Sequence, residues 1–263
     1  MLLHIFGTCS GTEPYPRRHH CAFAIEYNGR LYWFDAGEGC SYTAHMMGVD
    51  LMRLRKVVIS HPHMDHVGGL GNLFWTVRKL ETRGRTLRNR DIELFIPDIR
   101  SWEGILQMLG QTEGNFKSDF SIHAREYEDG LLFDDEGFRV KALHNRHLPH
   151  EEGEPWRSFG FLIECNEPKA RTSKRMVYSG DTKGVEDFAP LMDGCDLLLM
   201  ETGHHHPPEI ARELLDRGIF PGTLAYIHHG RDILDRYDEQ VKLLDGIVPG
   251  RYIILEDATT LDI

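Results

Sequence analysis

Cysteine is sparse and scattered: Cys9, Cys21, Cys40, Cys165 and Cys195 are odd in number and form no C-x-x-C pair. A disulfide framework and a cysteine-based metal site are therefore not expected, and reduced thiols in a cytoplasm are. Long apolar runs are also missing, since no stretch approaches the roughly 20 apolar residues of a membrane-spanning helix. The first residues, Met1 to Gly7, lack a basic region, a long apolar segment and a small-residue cleavage site, and read as a strand rather than a secretory signal. Positive charge is in deficit, with 30 basic against 41 acidic residues and a net charge of −11. That balance disfavours loose association with nucleic acid or an anionic membrane. With no internal repeat, low-complexity tract or long linker, the expectation is one domain over residues 1–263.

What the chain does carry is a local surplus of metal-binding side chains. The segment Ser60-His61-Pro62-His63-Met64-Asp65-His66 holds three imidazoles and one carboxylate within six residues, a density that a packed core or an ordinary loop has little reason to carry. Lys56 to Ile59 before it reads as a buried strand and Val67 to Leu70 after it opens a helical pattern, so the ligands sit on a strand-to-helix loop. His61 and His63 alternate with Pro62 and Met64, which lets two rings point the same way from extended backbone; Asp65 and His66 follow as the chain turns. Further candidates follow other strand-like runs: His147, Asp181 in Ser179-Gly180-Asp181-Thr182, and His228 or its neighbour His229. His144 and His150 compete with His147. Side chains at the carboxyl ends of strands converge on one sheet edge, where open α/β sheets bind ligands.

Strand patterns recur at Leu2 to Phe6, Cys21 to Tyr27, Leu31 to Phe34, Val57 to Ile59, Ile92 to Ile96, Phe138 to Leu143, Phe159 to Glu164, Met176 to Tyr178, Asp196 to Met200, Thr223 to Ile227 and Tyr252 to Leu255. Helical patterns cover Gly69 to Leu80, Ser101 to Leu109, Val185 to Leu191, Pro208 to Arg217 and Ile233 to Leu244. Two sheets with helices outside is the architecture these patterns suggest. Asn28-Gly29 is a hairpin signal. The stretch from Arg78 to Arg90 carries Arg78, Lys79, Arg83, Arg85, Arg88 and Arg90 against Glu81 alone, and reads either as a solvated helix end or as a phosphate-facing rim.

Taken with Phe6-Gly7-Thr8-Cys9-Ser10-Gly11, Asp35-Ala36-Gly37-Glu38-Gly39, Ser158-Phe159-Gly160-Phe161 and Ile227-His228, these motifs make the chain resemble the metallo-β-lactamase fold metallohydrolases, closest to the RNase Z-like and phosphodiesterase branch. The resemblance implies an α/β, four-layer αββα sandwich of two mixed sheets with helices outside. It also implies a dinuclear site with a bridging hydroxide: one ion on His61, His63 and His147, a second on Asp65, His66 and His228, and Asp181 bridging both. The ions would be zinc, with manganese and iron also suited to such donors. Asp65 would orient the attacking water, and Asp35 would accept from a ligand behind the metal loop.

In Glu201-Thr202-Gly203-His204-His205-His206 the family pattern selects His205 as the proton donor to the leaving group, with His206 one register away; Arg231 is a candidate phosphate clamp. The long arm with which the ribonucleases grip tRNA is missing between Phe159 to Glu164 and Met176 to Tyr178, where Cys165 to Arg175 suffices only for a hairpin. A small anionic phosphodiester, cyclic or nucleotide-type, is therefore expected ahead of tRNA; RNA, a homodimer and the absence of membrane partners remain compatible with the pattern. A lactone, thioester or amide hydrolase is the alternative reading, and a metal-stabilised binding module a third.

Overall fold

The structure is a computed structural model that describes residues 1–167 and 172–263. The chain divides into two compact units, Met1–Tyr127 with Glu256–Ile263, and Glu128–Leu255.

The first unit is a seven-stranded mixed sheet. Its strands are β1 (Leu2–Gly7), β2 (Ala22–Tyr27), β3 (Arg30–Phe34), β4 (Leu54–Val58), β5 (Asp91–Phe95), β6 (Ser121–Arg125) and β14 (Thr259–Asp262), in the order β14-β1-β2-β3-β4-β5-β6. Helices α1 (Cys40–Met46), α2 (Met64–Val67), α3 (Leu70–Glu81) and α4 (Ile99–Leu109) occupy the connections. Asn28 and Gly29 make the two-residue turn between β2 and β3, both at positive φ (49° and 71°), as a type I′ hairpin requires. Trp33 of β3, fully buried, stacks on Phe6 at 4.3 Å. It shares a core with Leu70, Leu73, Phe74 and Val77, the apolar stripe of α3, and Trp102 of α4 meets Phe74 edge-on at 5.3 Å.

The second unit is another seven-stranded mixed sheet: β7 (Gly130–Asp135), β8 (Phe138–His144), β9 (Phe159–Glu167), β10 (Thr172–Tyr178), β11 (Leu197–Thr202), β12 (Thr223–His229) and β13 (Tyr252–Ile254), in unbroken order from β7 to β13. Its helices are α5 (Ala189–Met192), α6 (Pro207–Asp216) and α7 (Arg231–Asp245). Leu198, Met200 and Tyr226 from the sheet share a core with Phe188, Ile210, Leu214, Ile233 and Leu244. No helix among the described residues is long and apolar enough to cross a membrane.

Several sequence expectations need correction. β6, β7 and β14 were not anticipated; all three are sheet edges with largely exposed or half-buried residues, so they lack the apolar run that marks a central strand. α1 was missed as well. The helix expected over Val185 to Leu191 is a 3₁₀ turn, Val185–Asp187, followed by the single-turn α5, in which Pro190 stands where no amide donor is needed. The strands on either side of the expected Cys165 to Arg175 connection run further than anticipated, and its tip, residues 168–171, lies outside the described residues.

Trp33→Ala, which deletes the largest fully buried side chain of the first unit, should lower the unfolding free energy by about 3–5 kcal/mol in urea titrations followed by circular dichroism. A loss below about 1 kcal/mol would contradict the packing described.

Candidate metal centre

Strand direction decides where the polar side chains gather. In the first sheet β3, β4 and β5 run parallel, and β1 runs the same way through two antiparallel steps, so the residues after β1, β3 and β4 emerge at one edge. Those residues are the Thr8 to Gly11 loop, Asp35, and Ser60 to His66. In the second sheet β8, β10, β11 and β12 likewise share a direction, which brings His147, Asp181, Glu201 with the three histidines after it, and His228 to one edge.

In the first unit the organiser is Asp35, fully buried and held at φ 52° directly after β3. Its Oδ1 accepts the Ser60 amide at 2.6 Å, and its Oδ2 accepts both the Ser60 hydroxyl and His66 Nδ1 at 2.8 Å. The same hydroxyl lies 3.1 Å from His61 Nδ1. With Nδ1 of both rings so engaged, Nε2 is the nitrogen each can offer a metal. The ring of His61 lies 4.6 Å from that of His63 and 4.1 Å from that of His66, while His66 Nε2 is 3.4 Å from Asp65 Oδ2. Two glycines make the packing possible. A Cβ on Gly37 would stand 2.5 Å from the Asp65 carbonyl, and one on Gly11 would stand 3.0 Å from the Asp65 carboxylate, so the loop after β1 crosses directly over that side chain.

In the second unit the centre is Asp181, whose side chain is 2% exposed. Its Oδ2 lies 3.7 Å from His147 Nε2 and its Oδ1 lies 3.3 Å from His228 Nε2, so each oxygen faces a different imidazole. His147 is carried on the loop after β8, with its amide donating to Asn145 Oδ1 at 3.1 Å. His228 is the extra residue of a β-bulge in β12, where the register jumps from Ile227 to His229, and its φ of 54° turns the ring away from the ladder. Of the two neighbours, it is His228 that faces Asp181. His229 is tied at both ring nitrogens, Nε2 to the Leu255 carbonyl at 2.8 Å and Nδ1 to the Thr202 hydroxyl at 3.2 Å. His144 and His150 are likewise occupied elsewhere, stacked on the two sides of Trp156 at 4.1 and 3.8 Å.

Sequence reasoning noted Glu201 without giving it a task. Fully buried, it accepts the amide of His204 at 3.0 Å and His204 Nδ1 at 3.0 Å, and its Oε2 lies 3.5 Å from His228 Nδ1. Burial alone would raise its pKa, but hydrogen bonds from His204 and His228 hold the carboxyl down at about 2. The same bond to Glu201 raises the pKa of His204. The signal that could have found Glu201 is an acidic residue directly after an apolar run within one strand, Leu197-Leu198-Leu199-Met200-Glu201-Thr202.

Of the three histidines after Glu201, among which the sequence pattern favoured His205, His204 is the one that lies beside Asp181 and His147. His204 Nδ1 is 3.8 Å from Asp181 Oδ2, and its ring lies 4.8 Å from that of His147. His205 instead turns Nε2 onto the Thr182 carbonyl at 2.9 Å, and His206, 63% exposed, pairs with Asp232. Arg231 opens α7 just after the bulge, half-exposed, 3.7 Å from Asp235. The basic stretch from Arg78 to Arg90 does not line the metal loop. α3 begins beside that loop and runs about 18 Å away from it, and the chain returns at the amino end of β5, the opposite edge of the sheet. There Arg78 Nε donates to the Lys117 carbonyl and Arg85 pairs with Asp50.

Both sets of donors suit divalent ions: imidazole nitrogens and carboxylate oxygens, mostly buried, with Nδ1 of His61, His66 and His228 turned onto protein oxygen. Glu201, His204 and His228 also bring three ligand atoms within 4.8 Å of one another, as do Cys21, Asp35 and His66.

The fold is that of the metallo-β-lactamase fold metallohydrolases. The short form of human tRNase Z matches with a TM-score of 0.73 and 23% identity, over 100% of this chain and 99% of its own. The metallo-beta-lactamase fold protein YhfI of Bacillus subtilis matches with a TM-score of 0.74 and 17% identity, over 99% of this chain and 98% of its own. More particularly, the family model for anti-Pycsar protein Apyc1 matches residues 1–202, and the chain belongs to that family. Ribonuclease Z of Archaeoglobus fulgidus is 28% identical, covering 97% of this chain and 95% of its own.

Removing the carboxylate behind the metal loop should show in metal affinity first. Asp35→Ala is expected to weaken retention of zinc about 10–100-fold in competition with a chromogenic chelator; unchanged retention would refute the anchoring role.

Proposed function

We propose that the protein is a metal-dependent phosphodiester hydrolase working with two divalent ions, zinc by preference. His61, His63 and His147 are assigned to one ion, Asp65, His66 and His228 to the second, and Asp181 to both. The observation that carries this reading is Asp181, a buried carboxylate whose two oxygens face two different imidazoles at 3.7 and 3.3 Å, the disposition a bridging ligand needs. On this reading residues 1–263 work as one hydrolase domain.

Bound there, such ions supply an activated water and offset charge on the phosphoryl oxygens. The chain's own groups do the rest. Asp65, beneath the backbone of Gly11 and beside His66 Nε2, is assigned to accept the proton of an attacking water and orient it. His204, held on Glu201 and 44% exposed, is the donor to the departing oxygen, a role its contacts suit better than those of His205. Arg231 is assigned to a phosphoryl oxygen.

Two ions, less the charges of Asp65 and Asp181, leave the site cationic within a protein of net charge −11, which favours an anionic substrate. The substrate class we assign is a small phosphodiester, cyclic or nucleotide-type. β9 and β10 are joined by residues 168–171 alone, too few for a tRNA-gripping arm. Buried cysteines without a disulfide support the cytoplasm as its location.

Purified protein should hydrolyse bis(p-nitrophenyl) phosphate, lose that activity on chelation, regain it with zinc or manganese, and lose it in Asp65→Ala. An ester or lactone panel turned over faster than the phosphodiesters, or an Asp65→Ala protein as active as the wild type, would defeat the reading. On a substrate with an alkoxide leaving group, His204→Ala should lower kcat by about 100-fold or more, and His205→Ala by less than about tenfold. The reverse order would return the role to His205.

A further inference from the structure

Two segments carry the second unit's share of the first ion: the loop after β8, with His147, and the turn after β10, with Asp181. The side chain of Asp187 joins them. Asp187, at the end of the 3₁₀ turn Val185–Asp187 and 5% exposed, accepts Arg146 Nε on Oδ1 at 2.6 Å. Its Oδ2 accepts the Thr182 hydroxyl at 2.7 Å and the Arg146 amide at 3.3 Å. Arg146 directly precedes His147 and Thr182 directly follows Asp181. A single carboxylate therefore grips the neighbours of both ligands. The other arm of Arg146 reaches Glu186 Oε1 at 2.6 Å.

The rest of the His147 loop is held by separate means. Asn145 and Ser158 close its base, the Asn145 amide donating to the Ser158 carbonyl at 2.9 Å. His144 and His150 clamp Trp156 between them, and Asp129 fixes His144 through Nδ1 at 2.5 Å. None of these contacts reaches the Asp181 turn. A further tie between the segments among the described residues, Asn145 Nδ2 to the Ser179 carbonyl, is long at 3.4 Å.

We propose that Asp187 is a positioning residue that sets the spacing between His147 and Asp181 and thereby the retention of the first ion. The inference rests on the ligand assignment above. Because the loop is closed independently, loss of Asp187 should free its alignment without unfolding it, and the ion bound through Asp65, His66 and His228 should stay.

Metal content after dialysis against a weak chelator, with zinc as the probe, tests this in Asp187→Ala, Arg146→Ala and the double variant. Wild type should hold two ions per chain and each variant one, the weaker ion binding about tenfold less tightly or worse. The double variant should be no worse than either single one, because both remove the same tie. Glu186→Gln should keep both ions. A second readout uses the metal-free protein, in which amide exchange over residues 146–148 should be faster in Asp187→Ala at an unchanged thermal midpoint. Variants that hold both ions as tightly as wild type overturn the proposal, as does equal loss of both ions with a lowered midpoint. A wild type that never holds two ions defeats the ligand assignment instead, and the amide-exchange result then decides whether Asp187 ties the two segments.

Discussion

In each unit the cluster of ligand-type side chains depends on one carboxylate placed out of water at the end of a parallel strand. Asp35 and Glu201 are both fully buried, one in each unit, and a carboxylate taken out of water needs several donors aimed at it. Those donors are the ligand segments themselves: the Ser60 amide and hydroxyl and His66 on Asp35, the Thr182 and His204 amides and the His204 ring on Glu201. Satisfying the buried charge therefore determines which nitrogen each imidazole turns outward. An isolated histidine would retain both tautomers and a freely turning ring; one tied at Nδ1 presents Nε2 along a defined direction.

The sheets provide the strand ends. Both repeat one pairing sequence, three antiparallel pairs followed by three parallel ones, from β14 to β6 in the first and from β7 to β13 in the second. The antiparallel half needs only tight turns, such as Asn28-Gly29. The parallel half needs crossovers, and the helices in those crossovers supply the apolar stripes that cover one face of each sheet. Every chemistry-bearing loop then leaves from a carboxyl strand end, while the basic Arg78 to Arg90 stretch, at an amino end, is left to ion pairs with its own surface.

How much of this was legible in the sequence follows the same division. Central strands and long amphipathic helices announced themselves because burial on a fixed period requires apolar residues at that period; β2, β3, β11 and α3 are of this kind. β6, β7 and β14 pair along one edge only, and a sequence such as Ser121-Ile122-His123-Ala124-Arg125 carries little apolar signal to read. In the metal loop, ligand type and spacing were legible because chemistry constrains the residues directly. In the histidine triplet, counting back from the helix favoured His205; the turn itself is set by the His204 amide reaching back three residues to Glu201, whose burial the spacing does not reveal. The tie through Asp187 was hidden because its partner Arg146 lies 41 positions away in the chain.

Asp35 and His228 share one further property, a left-handed backbone at φ 52° and 54° in residues that are neither glycine nor asparagine. Such conformations cost on the order of 1–3 kcal/mol each and persist only where the surroundings over-determine them. Both occur where a parallel strand gives way to the site. At Asp35 the amide still donates to the Val58 carbonyl at 2.8 Å, so the ladder continues while the side chain is swung onto the neighbouring strand's loop. At His228 the bulge divides the labour of two adjacent imidazoles: His229, back in register, is spent at both nitrogens on holding Leu255 and Thr202, and this fixes the strand end against which His228 is turned outward. Relaxing either residue to ordinary extended backbone would restore a regular strand and carry the functional side chain to the other face of its sheet. The strain is thus a consequence of drawing inward-facing polar groups from strands whose pleat is already committed to an apolar core.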